Sequence, residues 1–312
     1  MLVCPGCRTR TPERIDVRTL DRVGDVLACE CGRRYPIVDG VPIVLPDPAA
    51  AIVDFDLAPE VAEVVVAHGS DDSPLPRLLA YLSTYLDSQW GDRATPPVDF
   101  GSRACVERIA ALPRVPLAVE LGCCVGRIVG EMPADHTVGI DSHFGAIRRA
   151  RKLLDGERVA YNRRAIGRHY TRASIEGRTA ANRELVCADA LDPPLVHGAF
   201  DRVVALNMLD SVRDPRQLLS VVDGLCAVGG EVILASPFSW QSDVVAENAR
   251  IGGADAAADL AAILRGGIGL GARYRLEDEA DLSWPLRKDA RTVVTYCTYY
   301  VRARKMSDTG SV

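Results

Sequence analysis

The chain has 312 residues, of which 48% are apolar and 25% charged, and its formal net charge is -5. This length and composition predict a globular protein of about two domains, and the negative charge disfavours a general nucleic-acid binder. No apolar run approaches the roughly 18 residues of a membrane span, and no basic segment followed by an apolar one opens the sequence. A cytoplasmic location without membrane contact is therefore the default expectation.

Residues 1–46 carry two close cysteine pairs, Cys4 with Cys7 and Cys29 with Cys31. Four thiolates are the tetrahedral ligand set of a structural zinc site. A segment of this size can bury only a small core, so a metal would supply stability that packing cannot. The sequence therefore predicts a zinc ribbon, although its second pair is Cys-x-Cys rather than Cys-x-x-Cys. Four reduced cysteines without metal are the alternative.

A longer motif surrounds these cysteines. The Cys4–Cys7 turn and the stretch "LACECGRRYPIVDGVPIVL" resemble the small zinc-ribbon family that activates RNA and protein methyltransferases in eukaryotes and occurs as a separate small protein in bacteria. The resemblance covers residues 1–46, and the run "YPIVDGVP" is its most specific part. It implies that the ribbon docks on a methyltransferase and stabilises it, here within one chain.

Residues 47–113 show helical spacing of apolar residues and are predicted to form a helical linker or lid. The stretch "PLPRLLAYLSTYLDSQWGD" places Tyr81, Tyr85 and Trp90 on one predicted helix. These aromatic residues either cover a binding site or pack the helix onto the domain that follows.

Residues 114–305 alternate between strands and helices, a pattern that predicts an α/β fold with a doubly wound, mostly parallel sheet. Five strands alternate with helices, and the stretches "RYRLEDEADLSW" and "TVVTYCTYYVRAR" form a closing pair. A seven-stranded Rossmann-like sheet is therefore expected. Residues 306–312 are expected to be a frayed tail.

The stretch "VELGCCVGR" places a glycine turn after an apolar strand, where open α/β sheets bind their ligands. The Gly122-x-x-x-Gly126 spacing departs from the Gly-x-Gly-x-x-Gly of dinucleotide-binding turns. Glu120, before the turn, would repel a pyrophosphate, whereas S-adenosylmethionine (SAM) carries a sulfonium and an amino group and no phosphate. The turn therefore favours SAM as the ligand.

Three more polar residues end later strands. Asp141, 21 residues after Glu120, could accept both hydroxyls of a ribose, and Asp189 and Asn207 end the third and fourth strands. Each alone is more often a cap or turn residue. Together they are typical of class I SAM-dependent methyltransferases, in which Asp189 would face the adenine amino group and Asn207 the methionine part.

The predicted cofactor-binding residues surround the turn and the strand ends. They are Glu120, Gly122, Cys124, Gly126, Arg127, Asp141, Ser142, Asp189, Ala190 and Asn207. Arg127 is predicted to hold the SAM carboxylate, with a solvated helix arginine as the alternative. The expected cofactors are SAM, which leaves as S-adenosylhomocysteine (SAH), and structural zinc.

A narrower resemblance covers residues 119–304. The segments "GCCVGR", "FDRVVALNMLDSVRDPRQLL" and "GGEVILASPFSW" resemble the methyltransferase domain of ovothiol synthesis, which acts on the imidazole of 4-mercaptohistidine. By this resemblance Asn207 and Asp210 line the site, and Ser236, Pro237 and Trp240 form its roof. The stretch after Trp240 and the ribbon depart from that family, so the resemblance implies the reaction type rather than the substrate.

The predicted catalytic residues are Asp210 and Tyr170. A nitrogen or oxygen acceptor needs a base to take its proton, and Asp210 is the first candidate, with capping of the next helix as the alternative. Tyr170 and the neighbouring His169 are weaker candidates.

The expected acceptor is a small molecule of secondary metabolism, with a heteroaromatic nitrogen as one possibility, and the chain is expected to be a monomer or homodimer. The arginine-rich stretch 148–178 motivates one alternative, an RNA or peptide methyltransferase that binds its substrate through this patch. A solvated helix and loop is the simpler interpretation of the stretch. A non-catalytic SAM-binding scaffold is the other alternative.

Overall fold

The described residues of the N-terminal segment form six short strands. The structure, a computed structural model of the chain, describes residues 2–10, 15–52, 54, 56–68, 70 and 73–307. The strands are β1 (Thr9–Arg10), β2 (Ile15–Asp16), β3 (Asp21–Val23), β4 (Val26–Ala28), β5 (Arg34–Val38) and β6 (Val41–Val44). Strand β1 pairs with β2, and β3 to β6 form an antiparallel meander. Asp39 and Gly40 join β5 to β6 at positive φ, as a tight two-residue hairpin requires.

Four α-helices and one short strand follow in the part of residues 47–113 that the structure describes. They are α1 (Pro48–Ala51), α2 (Pro59–His68), α3 (Pro74–Trp90), β7 (Ala94–Thr95) and α4 (Arg103–Ala110). Helix α3 begins with a proline, whose missing N–H is no loss in a first turn. Its buried leucines at positions 75, 78, 79, 82 and 86 recur every three to four residues and turn one face inward.

Residues 114–305 hold nine strands and four helices. The strands are β8 (Val115–Leu121), β9 (Ala134–Asp141), β10 (Arg158–Ile166), β11 (His169–Glu176), β12 (Arg183–Ala188), β13 (Phe200–Leu206), β14 (Cys226–Ser236), β15 (Tyr274–Arg287) and β16 (Val293–Lys305). The helices are α5 (Arg127–Glu131), α6 (Phe144–Leu154), α7 (Pro215–Leu225) and α8 (Ala256–Gly266).

Seven of these strands form the predicted sheet, in the order β12-β9-β8-β13-β14-β16-β15. The first five are parallel, and β16 lies antiparallel between β14 and β15. Strand order reverses beside β8, the point at which open α/β sheets hold their ligands. The α/β doubly wound fold predicted from the sequence is confirmed.

The N-terminal meander continues this sheet. Strand β6 pairs in parallel with β12, with Ile43 opposite Cys187 and Val44 opposite Ala188. The result is one sheet of eleven strands. An isolated bridge between Leu2 and Leu195 adds a second contact between the two parts of the chain.

Strands β10 and β11 form a hairpin that the sequence did not predict. The arginine-rich stretch was expected to be a helix and loop, whereas only α6 is helical and the rest pairs antiparallel, extended by β7. Buried positions alternate only partly along β10, because Asn162 and Arg163 are also buried. Polar residues on the inward face hide the period-two pattern of a strand.

Apolar helix faces cover both sides of the sheet. Helix α6 packs Phe144, Ile147 and Leu153 against one side together with α3, and α7 packs Leu218 and Leu219 against the other. Among the described helices, none is long and apolar enough to cross a membrane.

Candidate active site

A cavity of about 780 Å³ opens at the carboxyl ends of β8, β9, β12 and β13. Its other walls come from α3 and from the far ends of β15 and β16. Its volume falls in the range of roughly 300–1,000 Å³ that is usual for small-molecule sites. Nine of the predicted cofactor-binding and catalytic residues line it: Glu120, Gly122, Cys124, Asp141, Ser142, Asp189, Ala190, Asn207 and Asp210.

The glycine turn forms the floor of the cavity. Gly122 has a φ of +77°, and a Cβ there would lie 2.1 Å from the Met208 sulfur. Cys124 also adopts a positive φ of 51°, and its Sγ accepts a hydrogen bond from the Tyr81 hydroxyl at 3.1 Å. The turn therefore needs a residue without a side chain at its first position, and α3 holds it from above.

Glu120 anchors the turn from below. Its buried carboxylate accepts a hydrogen bond from the Val129 N–H at 3.1 Å, which fixes the start of α5. Burial raises the pKa of Glu120 well above its usual value. A cationic ligand in the cavity would therefore stabilise the charged form of this carboxylate.

Asp141 lies at the end of β9 with its orientation fixed by two backbone donors. The Cys124 N–H donates to one carboxylate oxygen at 2.9 Å, and the His143 N–H donates to the other at 2.8 Å. Burial raises the pKa of Asp141. Each oxygen keeps lone pairs for a ligand, so the carboxylate can still accept a pair of hydroxyl groups.

Asp189 and Leu45 form the neighbouring wall. Asp189 accepts a hydrogen bond from the Leu191 N–H at 2.8 Å and forms an ion pair with Arg213 at 3.1 Å. Leu45 follows directly after β6 and lines the same cavity. The N-terminal meander thus contributes to this wall, a contribution that the sequence did not predict.

Asn207 presents an acceptor to the cavity at the end of β13. It adopts a φ of +54°, and its backbone N–H donates to the Ala235 carbonyl at 2.7 Å. Its Oδ1 is buried and has no hydrogen-bond partner among the described residues. A buried acceptor without a donor is costly, so a ligand that donates a hydrogen bond there would remove this cost.

Asp210 holds the end of β14 and the loop that follows it through hydrogen bonds. Its buried carboxylate accepts hydrogen bonds from the Ser236 hydroxyl at 3.3 Å and the Ser239 N–H at 3.1 Å. Burial raises the pKa of Asp210. The alternative that it caps the next helix is wrong, because Asp214 caps α7 by accepting from the Gln217 N–H.

The wall opposite the strand ends is largely aromatic. Tyr81 and Tyr85 of α3, Trp284 of β15 and Tyr296 of β16 line it. Burial, with added contributions from the Cys124 thiol and Tyr296, raises the pKa of Tyr85, so its hydroxyl stays a hydrogen-bond donor at neutral pH. The two tyrosines of α3 were among the residues considered from the sequence, whereas the wall that β15 and β16 supply was missed.

One family comparison covers the strands that form this cavity. A sequence model of the methyltransferase-domain family matches residues 119–234, which run from β8 to β14. The chain therefore contains a class I, SAM-dependent methyltransferase domain. A search of curated proteins found no match.

Solved structures similar to the methyltransferase share little sequence with it. A putative methyltransferase from Bacillus halodurans C-125 is 12% identical, covering 65% of this chain and 98% of its own, with a TM-score of 0.45. The N-methyltransferase NodS from Bradyrhizobium japonicum WM9 is 13% identical, covering 76% and 100%, with a TM-score of 0.44. A chain of the complex between the Haloferax volcanii Trm112 methyltransferase activator and a putative methyltransferase is 11% identical, covering 75% and 97%, with a TM-score of 0.48.

Two predicted cofactor-binding residues of the methyltransferase lie outside the cavity lining. Arg127 pairs with Asp92 at 3.0 Å and lies over the Trp90 ring, so its guanidinium is already held. Gly126 caps α5, where a Cβ would lie 2.9 Å from that of Ala150. Its role is close packing between helices rather than ligand contact.

The Tyr170 prediction is corrected by the structure. Its side chain is buried against α2 and α3, in a cluster with Ala62, Val66 and Leu79, and it does not line the cavity. His169 is paired with Glu63 of α2 at the protein surface. Neither residue is placed to touch a substrate in the cavity, because this end of β11 packs against α2 rather than against the lining.

The predicted roof is only partly correct. Pro237 lines the cavity, and Ser236 reaches it through its hydrogen bond to Asp210. Trp240 packs near Phe238, with ring centroids 6.0 Å apart, and is not part of the lining. Trp90 of α3 is also outside the lining, because its indole N–H donates to the Val125 carbonyl at 2.8 Å.

The four N-terminal cysteines meet at one point. Cys4 Sγ lies 3.9 Å from Cys31 Sγ, and Cys7 Sγ lies 3.7 Å from Cys29 Sγ. All four sulfurs lie within 4.8 Å of one another. Zinc–sulfur bonds of about 2.3 Å in a tetrahedron place the sulfurs about 3.8 Å apart, so this donor set fits zinc.

Proposed function

We propose that the protein transfers a methyl group from SAM to a small-molecule acceptor of secondary metabolism, with a heteroaromatic nitrogen as the favoured acceptor atom. The observation that carries the proposal is the cavity in which the strand-end residues and the aromatic wall face each other. When bound, SAM supplies a methyl group that its sulfonium already activates. The protein's task is then to position the acceptor and exclude water.

The strand-end residues would hold SAM. Asp141 suits the ribose hydroxyls, and Asp189 with Leu45 suits the adenine. The unpartnered Oδ1 of Asn207 suits the ammonium of the methionine part. The acids of this half of the cavity also suit a cation better than a phosphate.

Asp210 is proposed as the group that receives a proton from the acceptor nitrogen. It lines the cavity, and burial raises its pKa toward the range that suits a base at neutral pH. Its hydrogen bonds to Ser236 and Ser239 hold the carboxylate in place. Tyr85, Trp284 and Tyr296 would offer aromatic contacts to a planar acceptor.

The arginine-rich stretch argues against the RNA alternative. Most of its arginines are already paired with acids, including Arg148 and Arg149 with Asp54, and Arg178 with Glu131. Paired guanidinium groups add little to the net positive field that a nucleic-acid backbone needs.

The N-terminal cysteines are proposed to bind one structural zinc. Four thiolates leave no open coordination position, so the metal would hold the ribbon rather than take part in the reaction. Because β6 pairs with β12, the ribbon would in turn support the wall that holds the adenine.

Two measurements test the proposal. Titration of SAH by calorimetry should show binding that Asp141→Ala weakens roughly tenfold or more. Asp135→Ala, an exposed change at the other end of β9, should leave binding unchanged. Incubation with radiolabelled SAM and a cell extract should then place the label in the small-molecule fraction; label confined to RNA or protein would contradict the small-molecule proposal.

A further inference from the structure

A cation lies in the cavity wall without a counter-ion. Lys288 follows the end of β15, lines the cavity and is half-buried. In the described part of the chain, no ion pair or side-chain hydrogen bond holds its ammonium group. Burial, and next the charge of Arg164, lower the pKa of Lys288. Such a group gains free energy when an anion binds beside it.

The position of Lys288 follows from strand geometry. Side chains two residues apart on a strand share a face, and Trp284, Leu286 and Lys288 all line the cavity. Tyr296 lies opposite Trp284 in the pairing of β15 with β16. Lys288 therefore lies beside the part of the cavity wall that Trp284 and Tyr296 form.

The acids that line the cavity do not pair with Lys288. Glu120, Asp141, Asp189 and Asp210 lie at or after the ends of β8, β9, β12 and β13, and each accepts a backbone hydrogen bond. None of them is within ion-pair distance of Lys288. The cavity thus has an acidic half at the strand ends and a cationic end beyond the aromatic wall.

The neighbouring cation shows a different arrangement. Arg287 pairs with the buried carboxylate of Asp87 at 3.2 Å and donates to the Arg164 carbonyl. It is therefore neutralised within the protein and is not part of the cavity lining. Arg213, the other cation of the lining, is paired with Asp189. Lys288 is left as the one cation of the described lining that a substrate can neutralise.

We propose that the methyl acceptor is a planar carboxylate, whose carboxylate pairs with Lys288 while its ring lies against Trp284 and Tyr296. This inference rests on the proposed transfer to a small molecule. A single ammonium suits a singly charged carboxylate better than a phosphate dianion, which would need more donors. The distance between Lys288 and the acids at the strand ends would then determine which ring atom faces the methyl group.

Matched pairs of probes test the proposal on the full-length protein saturated with SAH. The pairs are nicotinate with nicotinamide, imidazole-4-acetate with its amide, and indole-3-acetate with its amide. In at least one pair the carboxylate should bind roughly 10- to 100-fold more tightly than the amide, the usual gain from a hydrogen bond to a charged group. Calorimetry measures both affinities.

Three variants assign this preference to the lysine. Lys288→Met should abolish it and Lys288→Arg should keep it. Arg291→Met, an exposed charge change in the same loop between β15 and β16, should leave it unaltered. The proposal is overturned if no carboxylate is preferred, or if the preference survives in Lys288→Met. SAH affinity should be equal in all variants; absence of SAH binding by the unmodified protein would point instead to an error in the cofactor assignment.

Discussion

Val44 of the N-terminal ribbon pairs in parallel with Ala188 of the catalytic sheet. The next residues of the two strands, Leu45 and Asp189, therefore emerge side by side at the cavity, and both line it. Arg8 of the ribbon also donates to Asp192 and to the Pro193 carbonyl, within the segment that follows Asp189. The N-terminal segment thus contacts, at two places, the wall that is proposed to hold the adenine.

Loss of the proposed zinc should weaken SAH binding through this contact. Removal of zinc by chelation, or the Cys29→Ser substitution, should lower the melting temperature and reduce SAH affinity, because β6 loses its support. Leu45→Ala should reduce SAH affinity by roughly 1–2 kcal/mol through lost apolar contact alone. Calorimetry and thermal unfolding measure these effects.

Cys297→Ser is the matched control for the cysteine change. Cys297 is an exposed free cysteine of β16, away from the metal cluster, so its substitution should alter neither zinc content nor SAH affinity. Zinc-free protein that binds SAH with unchanged affinity would contradict the coupling.

The strand-end residues could be predicted from the sequence because topology alone brings them together. Parallel strands end at one edge of a sheet, so Asp141, Asp189 and Asn207 share a cavity whatever their loops do. The aromatic wall opposite the strand ends could not be predicted in this way. It depends on how far β15 and β16 extend beyond the sheet and on the side of α3 that they meet, and Trp284 and Lys288 carry no motif that signals this.

Asn207 should contribute to SAH binding through its unpartnered Oδ1. Asn207→Gly preserves the positive φ but removes the acceptor, and should weaken SAH binding by about 1–3 kcal/mol. Asn207→Asp keeps an acceptor and should bind SAH at least as well as the unmodified protein. Calorimetry measures both.

Asn182→Gly controls for the backbone effect of the glycine. Asn182 also has a positive φ, of 57°, but lies in an exposed turn before β12. Its change should leave SAH affinity intact. Equal affinities for Asn207→Gly and the unmodified protein would show that the amide does not contact the ligand.

Glu120 should make the ligand-free protein less stable as the pH rises. Burial raises its pKa well above the usual value of 4.5, so the folded state binds its proton more tightly than the unfolded state does. The contribution of the protonated Glu120 to stability is then fully present below the pKa of the unfolded state, and it is lost as the pH rises through the pKa of the folded state. Glu120→Gln removes this loss. The free energy of unfolding of the variant, relative to that of the unmodified protein, should therefore rise by up to about 1.4 kcal/mol per pH unit within that window.

Urea unfolding between acidic and mildly basic pH checks this trend. Glu157→Gln, an exposed substitution after α6, should show no comparable pH-dependent gain. SAM should bind more weakly to Glu120→Gln if the carboxylate stabilises its cation. A stability difference in favour of Glu120→Gln that shrinks as the pH rises would contradict this prediction.

Asp87 should be the residue of α3 that contributes most to the stability of the aromatic wall. Its fully buried carboxylate accepts from the Tyr161 hydroxyl and pairs with Arg163 at 2.8 Å and Arg287 at 3.2 Å. These contacts join α3 to β10 and to the end of β15, one residue before Lys288. Asp87→Asn would leave buried guanidinium groups without a counter-ion and should cost about 3–5 kcal/mol of stability.

Asp99→Asn, an exposed change in the loop between β7 and α4, should cost little, since surface substitutions usually change stability by no more than about 0.5 kcal/mol. Where Asp87→Asn still folds, it should weaken carboxylate binding more than SAH binding, because Asp87 supports the wall that carries Lys288 and not the strand ends. An equal loss of both affinities would show that α3 positions the whole cavity rather than its acceptor end.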